Sequence, residues 1–525
     1  MDNHKLTMKT NTKLKQLTVV AVAAVVGAQF TLPALADDTN TPPAQPSVPA
    51  YAADGSGGNS ADAAEIRALK QEVDVLVQKV NALEQERSPE QQSAKVQDLD
   101  QQVRILERQR ENDKDDAAAL AKTLPKFSLG ENGFSFSSAD SNFVATLHGL
   151  LQADSRTFFA DDKINGNDGF LLRRARPIFT GTVFHNFDFN FTPEFGGNVG
   201  TVQILDAYIN YHYNSALQLE AGKFKSPVGL EQLQPDYVTY FNERTILNNL
   251  IPNRDLGMEL HGDLLGGAIS YAGGIFDGAP DYIGTTVNAD YDNDKAFAGR
   301  LFFQPFRPTN ILPLQGFGVG VGGSYEVDRG GTAAGTQTGL TSGYKSDGQQ
   351  TIFTYNSTVA ATGAHWRISP QGYYYYGPFG LLSEYAISDQ QLVGGSVTGA
   401  KAVDIQNTAW EVSAGWVLTG EDASYNGVTP RNPFNLHSGQ WGAWQVVARY
   451  ADLDVDNDAF TDGFATTGSA EEAKAWSVGL NWYLNKNIRV NASFSHTIFS
   501  LYHDASIPVT HDPENVLFTR IQLAF

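Results

Sequence analysis

From Phe127 to the C-terminus, apolar and polar residues alternate with a period of two. In AWSVGLNWYL, residues 475 to 484, Trp476, Val478, Leu480, Trp482 and Leu484 share one face, while Ser477, Gly479, Asn481 and Tyr483 share the other. Such a segment is a strand with one apolar and one polar surface. After Asn485 and Lys486 the alternation resumes with Ile488, Val490, Ala492 and Phe494, which predicts a hairpin with a tight turn. Sixteen segments of this kind are expected, near 143–156, 170–180, 182–192, 203–213, 216–223, 256–263, 266–276, 296–305, 316–327, 362–369, 372–388, 408–418, 441–451, 474–484, 487–498 and 515–525. Their connections mostly alternate short and long, with two longer ones on the short side at 306–315 and 419–440. An even number of antiparallel strands with turns at one end and loops at the other is the pattern of a transmembrane barrel.

Soluble β-sandwiches also alternate. Here, however, aromatics mark both ends of the apolar face, as in Trp410 and Trp416 or Trp476 and Trp482. Six residues along a tilted strand rise about 15 Å, so each pair falls near the two margins of an apolar band. The chain closes on NVLFTRIQLAF, with Leu517, Ile521, Leu523 and Phe525 on one face and Arg520 and Gln522 on the other. A terminal aromatic on the lipid face resembles the recognition signal of bacterial outer-membrane proteins.

The N-terminus follows other rules. Residues 1–36 combine Lys5, Lys9, Lys13 and Lys15 with an apolar run and Ala34-Leu35-Ala36, the layout of a secretory signal peptide. Residues 37–61 are rich in Pro, Gly, Ser and Ala and predict a flexible linker. Over 62–111, Ile66, Leu69, Val73, Leu76, Val80 and Leu83, and after Pro89 also Val96, Leu99, Val103 and Leu106, form a narrow heptad seam. The expected fold is thus an all-β barrel of about 16 antiparallel strands over 127–525, preceded by an α-helical coiled coil in the periplasm.

Composition removes most alternatives. None of the 525 residues is a cysteine, which excludes thiol nucleophiles and disulfides, and a net charge of −21 argues against nucleic-acid binding. Serine-hydrolase, zincin and P-loop motifs are missing, so no enzyme and no cofactor is expected. The aspartates at 290, 292 and 294, and at 452, 454, 456 and 458, lack the glycine and glutamate of a calcium loop and read as solvated outer loops, so no metal is expected.

Strand parity assigns each charge a side. It turns Arg156, Arg174, Arg176, Arg300, Arg367, Arg449, Arg489 and Arg520 inward, against Asp154, Asp188, Asp206, Glu220, Glu259, Glu384 and Glu411, and turns Arg173 and Lys223 outward. A nearly balanced wall does not select anions by itself. The connection from Phe224 to Asp255 is long and apolar, with Leu230, Leu233, Phe241, Ile246, Leu247, Leu250 and Ile251, and is expected to fold into the lumen. Lys223, Lys225, Arg244 and Arg254 lie in or beside it. Cations at such a narrowing favour anions, and guanidinium forks suit phosphate oxygens. The competing expectation is that Glu243-Arg244 and Arg254-Asp255 merely tether the loop to the wall.

The runs GKFKSPVGLEQL, FNERTILNNL and PNRDLGMELHG resemble the constriction segment of the phosphate-selective porin O and P family, and Arg173-Arg174 in GFLLRRARPIFTG is similar to its paired arginines. The resemblance spans roughly 127–525. It implies a sixteen-stranded homotrimer with an in-folded third loop, and by motif match assigns anion contact to Arg173, Arg174, Lys223, Lys225, Arg244 and Arg254. The function expected is passive diffusion of small anions, phosphate among them, across a Gram-negative outer membrane, amid lipid and lipopolysaccharide. The alternative is a structural anchor whose coiled coil spans the periplasm, with a non-specific pore.

Overall fold

The computed structural model describes residues 60–84, 89–121, 123–159, 166–197, 202–281, 292–333, 338–341, 343–394, 401–502 and 512–525. The expected signal peptide, and the linker apart from its last two residues, lie outside them. Two compact units divide the chain, residues 1–107 and 108–525.

Two helices precede the strands, α1 (Ser60–Glu84) and α2 (Pro89–Ala121). Pro89 opens the second helix, where its missing N–H costs nothing. Leu69, Leu76, Val80, Leu99 and Leu106 are half-buried, whereas Val73, Val96 and Val103 of the same seam are exposed.

A hairpin follows, β1 (Lys126–Gly130) and β2 (Gly133–Ser137), which periodicity did not single out. The barrel wall comprises β3 (Phe143–Phe158), β4 (Gly169–Val183), β5 (Phe187–Glu194), β6 (Gln203–Asn214), β7 (Leu217–Lys225), β8 (Arg254–Leu264), β9 (Ile269–Phe276), β10 (Ala296–Phe303) and β11 (Phe317–Arg329). After a short internal hairpin, β12 (Tyr344–Lys345) and β13 (Thr351–Phe353), it continues with β14 (Val359–Tyr376), β15 (Phe379–Gly394), β16 (Val403–Val417), β17 (Ala443–Asp454), β18 (Ala470–Tyr483), β19 (Ile488–Leu501) and β20 (Glu514–Ala524). Each wall strand pairs antiparallel with the next, and β20 returns to β3. The sixteen wall strands thereby form a closed barrel.

The seam is close-fitting. Gly149 donates to the Phe525 carbonyl (2.9 Å) and accepts from the Phe525 N–H (3.0 Å), and a Cβ at Gly149 would lie 2.6 Å from the Phe525 ring. Where β20 stops opposite Leu150, β2 continues its row, pairing Phe134 with Leu147.

Sixteen is the expected number of strands, but one hairpin is misplaced by the sequence reading. The segments expected at 362–369 and 372–388 leave a turn at Pro370, yet Pro370 lies inside β14 opposite Val321. Its cost is local: the ladder to β15 skips Ser369 and Pro370 and then resumes in register. The chain instead turns at Gly377-Pro378, with Gly377 at φ 52°.

Outward faces carry two aromatic belts. Trp410 lies 5.4 Å from Tyr450 and Trp476 is exposed near one margin, while Trp416 packs on Phe379 and Trp444 stacks on Trp482 at 4.9 Å near the other. Within the wall, Ala298, Ala361, Ala386, Ala409, Ala451, Ala473 and Ala475 join a core with Ile246, Leu247, Leu250, Tyr344, Phe353 and Phe464, which belong to connections on the loop side. Small wall residues leave room for these connections, so part of the lumen is packed like a protein interior.

Candidate functional site

The third long connection, 226–253, does enter the lumen. Its Leu230, Ile246, Leu247, Leu250 and Ile251 are buried, which secures it against the wall. The N–H groups of Leu230 and Glu231 donate to Glu384 (2.9 and 3.2 Å). From the turn side, the 418–442 connection reaches it as well: the Tyr425 hydroxyl donates to the Leu230 carbonyl (2.6 Å), and Gln234 donates to the Tyr425 carbonyl (2.8 Å). The fifth long connection, 330–358, also folds inward and places Asp347 against Arg449 (2.9 Å). Sequence reasoning missed this second in-folded loop, although Tyr344, Ile352 and Phe353 in a glycine-rich stretch were its signal.

Between the third loop and the wall of β3 and β4 lies a cavity of about 470 Å³. Arg156, Arg173, Arg174, Arg176, Arg244, Arg254 and Lys345 line it, with Glu194, Asp236 and Glu243. The paired arginines point the same way because of a β-bulge. Gln152 pairs with Arg174 and Ala153 with Leu172, so Arg173 is the extra residue. Parity had turned Arg173 to the lipid. The bulge corrects that assignment, and Arg173 instead donates to Glu243 through Nε (2.6 Å) and Nη2 (2.9 Å).

Two carboxylates of the third loop sit among these cations. Asp236 accepts from Arg176 and Arg244 and lies 3.3 Å from Arg174. Glu243 accepts from Arg156 (2.9 Å) as well as Arg173. Burial alone would raise the carboxyl pKa of Asp236, but Arg174, Arg244 and Arg176 outweigh it and hold the group well below its usual range. Glu243 is lowered in the same way, chiefly by Arg173 against the opposing effect of burial. Arg254 forms a two-point pair with Asp206 (2.8 and 3.1 Å). Glu243 thus ties the loop to the wall through Arg156 and Arg173, whereas Arg244 pairs within the loop with Asp236, and Arg254 of β8 pairs with Asp206 of β6.

Arg173, Arg174, Arg244 and Arg254 of the expected residues meet in this cavity. Lys225 lines the adjoining cavity on the turn side and donates to the carbonyls of Gln232 (2.7 Å) and Gln234 (2.8 Å). Lys223 lines neither. It pairs with Ala207 and Leu256 of the neighbouring strands and is buried near Arg254, Asp206 and Asp255. Arg156 and Arg176 were read as wall residues only, and Lys345 was not singled out at all.

One group among the described residues has the spacing of metal ligands, Glu326, Asp328 and His365. The guanidinium of Arg367 already supplies its cation, donating to Glu326 (3.0 Å) and to Asp281 (2.7 Å).

The sequence model of the family described as phosphate-selective porin O and P matches residues 146–525. Porin O of Pseudomonas aeruginosa is 25% identical over 400 residues, covering 69% of this chain and 85% of that protein. Among solved structures, the outer membrane channel DcaP of Acinetobacter baumannii aligns with a TM-score of 0.47 at 11% identity, over 74% of this chain and 99% of that one. The anion-selective porin from Comamonas acidovorans aligns with a TM-score of 0.45 at 12% identity, over 73% and 100%. The family match runs from the first wall strand to the last residue, so the chain belongs to the phosphate-selective porin O and P family of outer-membrane porins.

Proposed function

We propose that the protein forms a homotrimeric channel through which small anions, phosphate among them, diffuse passively across the outer membrane. One observation carries this reading: seven cations face the constriction, against the four carboxylates Glu194, Asp206, Asp236 and Glu243 that pair with them. The excess is three positive charges in a narrow, partly desolvated passage. There, guanidinium N–H groups replace part of the hydration of a passing oxyanion without any chemical step.

The test is the reversal potential of the purified protein in a salt gradient. Wild type is expected to show an anion sign, and Arg244→Gln or Arg254→Gln to lower the anion:cation permeability ratio about threefold each. An unchanged ratio would leave these arginines as braces. Lowering the pH from about 7 to about 5 is expected to leave Asp236 and Glu243 ionised, so their share of the charge balance does not change. Protonating Asp236 or Glu243 would add positive charge and raise anion preference, but their depressed pKa values delay that to more acidic solution.

The exposed valines of α1 and α2 favour a periplasmic coiled coil as a second, compatible element. Deleting 62–111 is expected to weaken the trimer against heat and leave the reversal potential intact; a trimer of unchanged heat resistance would remove that role.

A further inference from the structure

Between Asp236 and Glu243 the third loop passes along five neighbouring wall strands, β3, β20, β19, β18 and β17. Each supplies a side-chain donor to its backbone. Gln152 of β3 donates to the Asp236 carbonyl (3.2 Å), Gln522 of β20 to that of Tyr237 (3.0 Å) and Arg489 of β19 to that of Thr239 (2.9 Å). Asn481 of β18 donates to the Tyr240 carbonyl (3.0 Å) and Arg449 of β17 to that of Glu243 (3.1 Å). The donors follow the loop in chain order, strand by strand, and all five residues are buried.

A buried backbone stretch outside a sheet must find donors for its carbonyls, and here the wall provides them in place of a neighbouring strand. Leu230, Ile246, Leu247, Leu250 and Ile251 anchor the loop on either side of this stretch; within it, only Val238 and Phe241 are buried apolar side chains. Its path is therefore set largely by the polar donors. Two of them are also oriented by the constriction. Arg174 can only donate, and it does so to Gln152 Oε1 (2.8 Å), which turns Gln152 Nε2 toward Asp236 and toward Gln522 Oε1 (2.7 Å), and Gln522 Nε2 in turn toward Tyr237. At the two ends of the row, Asp236 and Glu243 are held by their own carbonyls while their carboxylates sit among the arginines.

We infer that Gln152, Gln522, Arg489, Asn481 and Arg449 are positioning residues: one donor from each of five adjacent strands holds the third loop by its carbonyls, and the row sets the calibre of the constriction and the place of its two carboxylates. These side chains act through the loop. Slackening the row widens the passage and lets Asp236 and Glu243 drift from the arginines they pair with. The effect on anions rests on the channel reading above, whereas the effect on calibre does not depend on the sign of the permeant ion.

The experiment compares the full-length protein with Asn481→Leu and Gln522→Met, singly and together, in planar bilayers; both substitutions keep the side-chain volume and remove the donor. Neutral polyethylene glycols of graded size report calibre, inorganic phosphate reports block, and heat resistance of the trimer reports folding. The double variant is expected to admit larger polymers, to conduct about twofold more and to bind blocking phosphate about fivefold more weakly, at unchanged heat resistance. Arg489→Lys keeps a donor for the Thr239 carbonyl and is expected to behave as wild type, while Arg489→Met follows the other variants; this pair decides the case if the double variant does not assemble. An unchanged polymer cut-off, whether or not heat resistance falls, overturns the positioning role. A shifted cut-off in a channel whose wild type has a cation-sign reversal potential keeps that role and overturns the anion reading instead.

Discussion

Asp236→Asn is expected to tighten phosphate block about thirtyfold and to lower the maximal phosphate current. The carboxylate of Asp236 lies among Arg174, Arg176 and Arg244, where it occupies donors that a passing oxyanion would use. Removing one negative charge roughly 8 Å from a bound anion, at an effective dielectric constant near 20, is worth about 2 kcal/mol per unit of anion charge. Stronger holding slows release, and conduction requires sites that let go. The loop itself should stay in place, because its buried leucines and isoleucines and the bonds to Glu384 do not involve Asp236. The measurement is single-channel block against phosphate concentration. Weaker block in the variant would mean that Asp236 assembles the arginines rather than competing for them.

Asp154→Asn is expected to destabilise the barrel by about 3–5 kcal/mol, because it leaves Arg520 as a buried charge without its close partner. Both side chains are fully buried, with Arg520 donating through Nε (2.6 Å) and Nη2 (2.7 Å). The remaining carboxylate, Glu243, is 3.7 Å away and already shared with Arg156 and Arg173. Replacing both partners, Asp154→Leu with Arg520→Met, is expected to cost far less, since no charge is then stranded. Urea unfolding in lipid vesicles compares the two. A single variant no worse than the double would show that the pair adds nothing to closure.

The strands were legible because lipid imposes a period of two on one face, a rule that local residues obey without regard to distant contacts. The same rule correctly turned eight arginines inward. It failed at Arg173, where one bulged residue breaks parity, and at Pro370, where a barrel tolerates the loss of one donor. The third loop was found by its length and its apolar residues. The partners of its charges were not, because the fold alone brings Asp236 across to Arg244 and sets Glu243 against Arg156 and Arg173 of the wall. Lys345 was out of reach, since its place in the cavity depends on a loop contact with Asn249, more than 90 positions away.

The contact between β3 and β20 joins residues such as Asp154 and Arg520, 366 positions apart. Until the final strand pairs, β3 has no wall partner on that edge, and a partly folded barrel carries an open sheet. Pairing at such separation demands a large loss of chain entropy before any contact repays it, so closure is intrinsically slow. An unfilled edge is also a template for pairing with other chains. Closure of the barrel therefore waits on an intact C-terminal strand. A truncation of only a few residues at Phe525 would act on biogenesis long before it acted on transport.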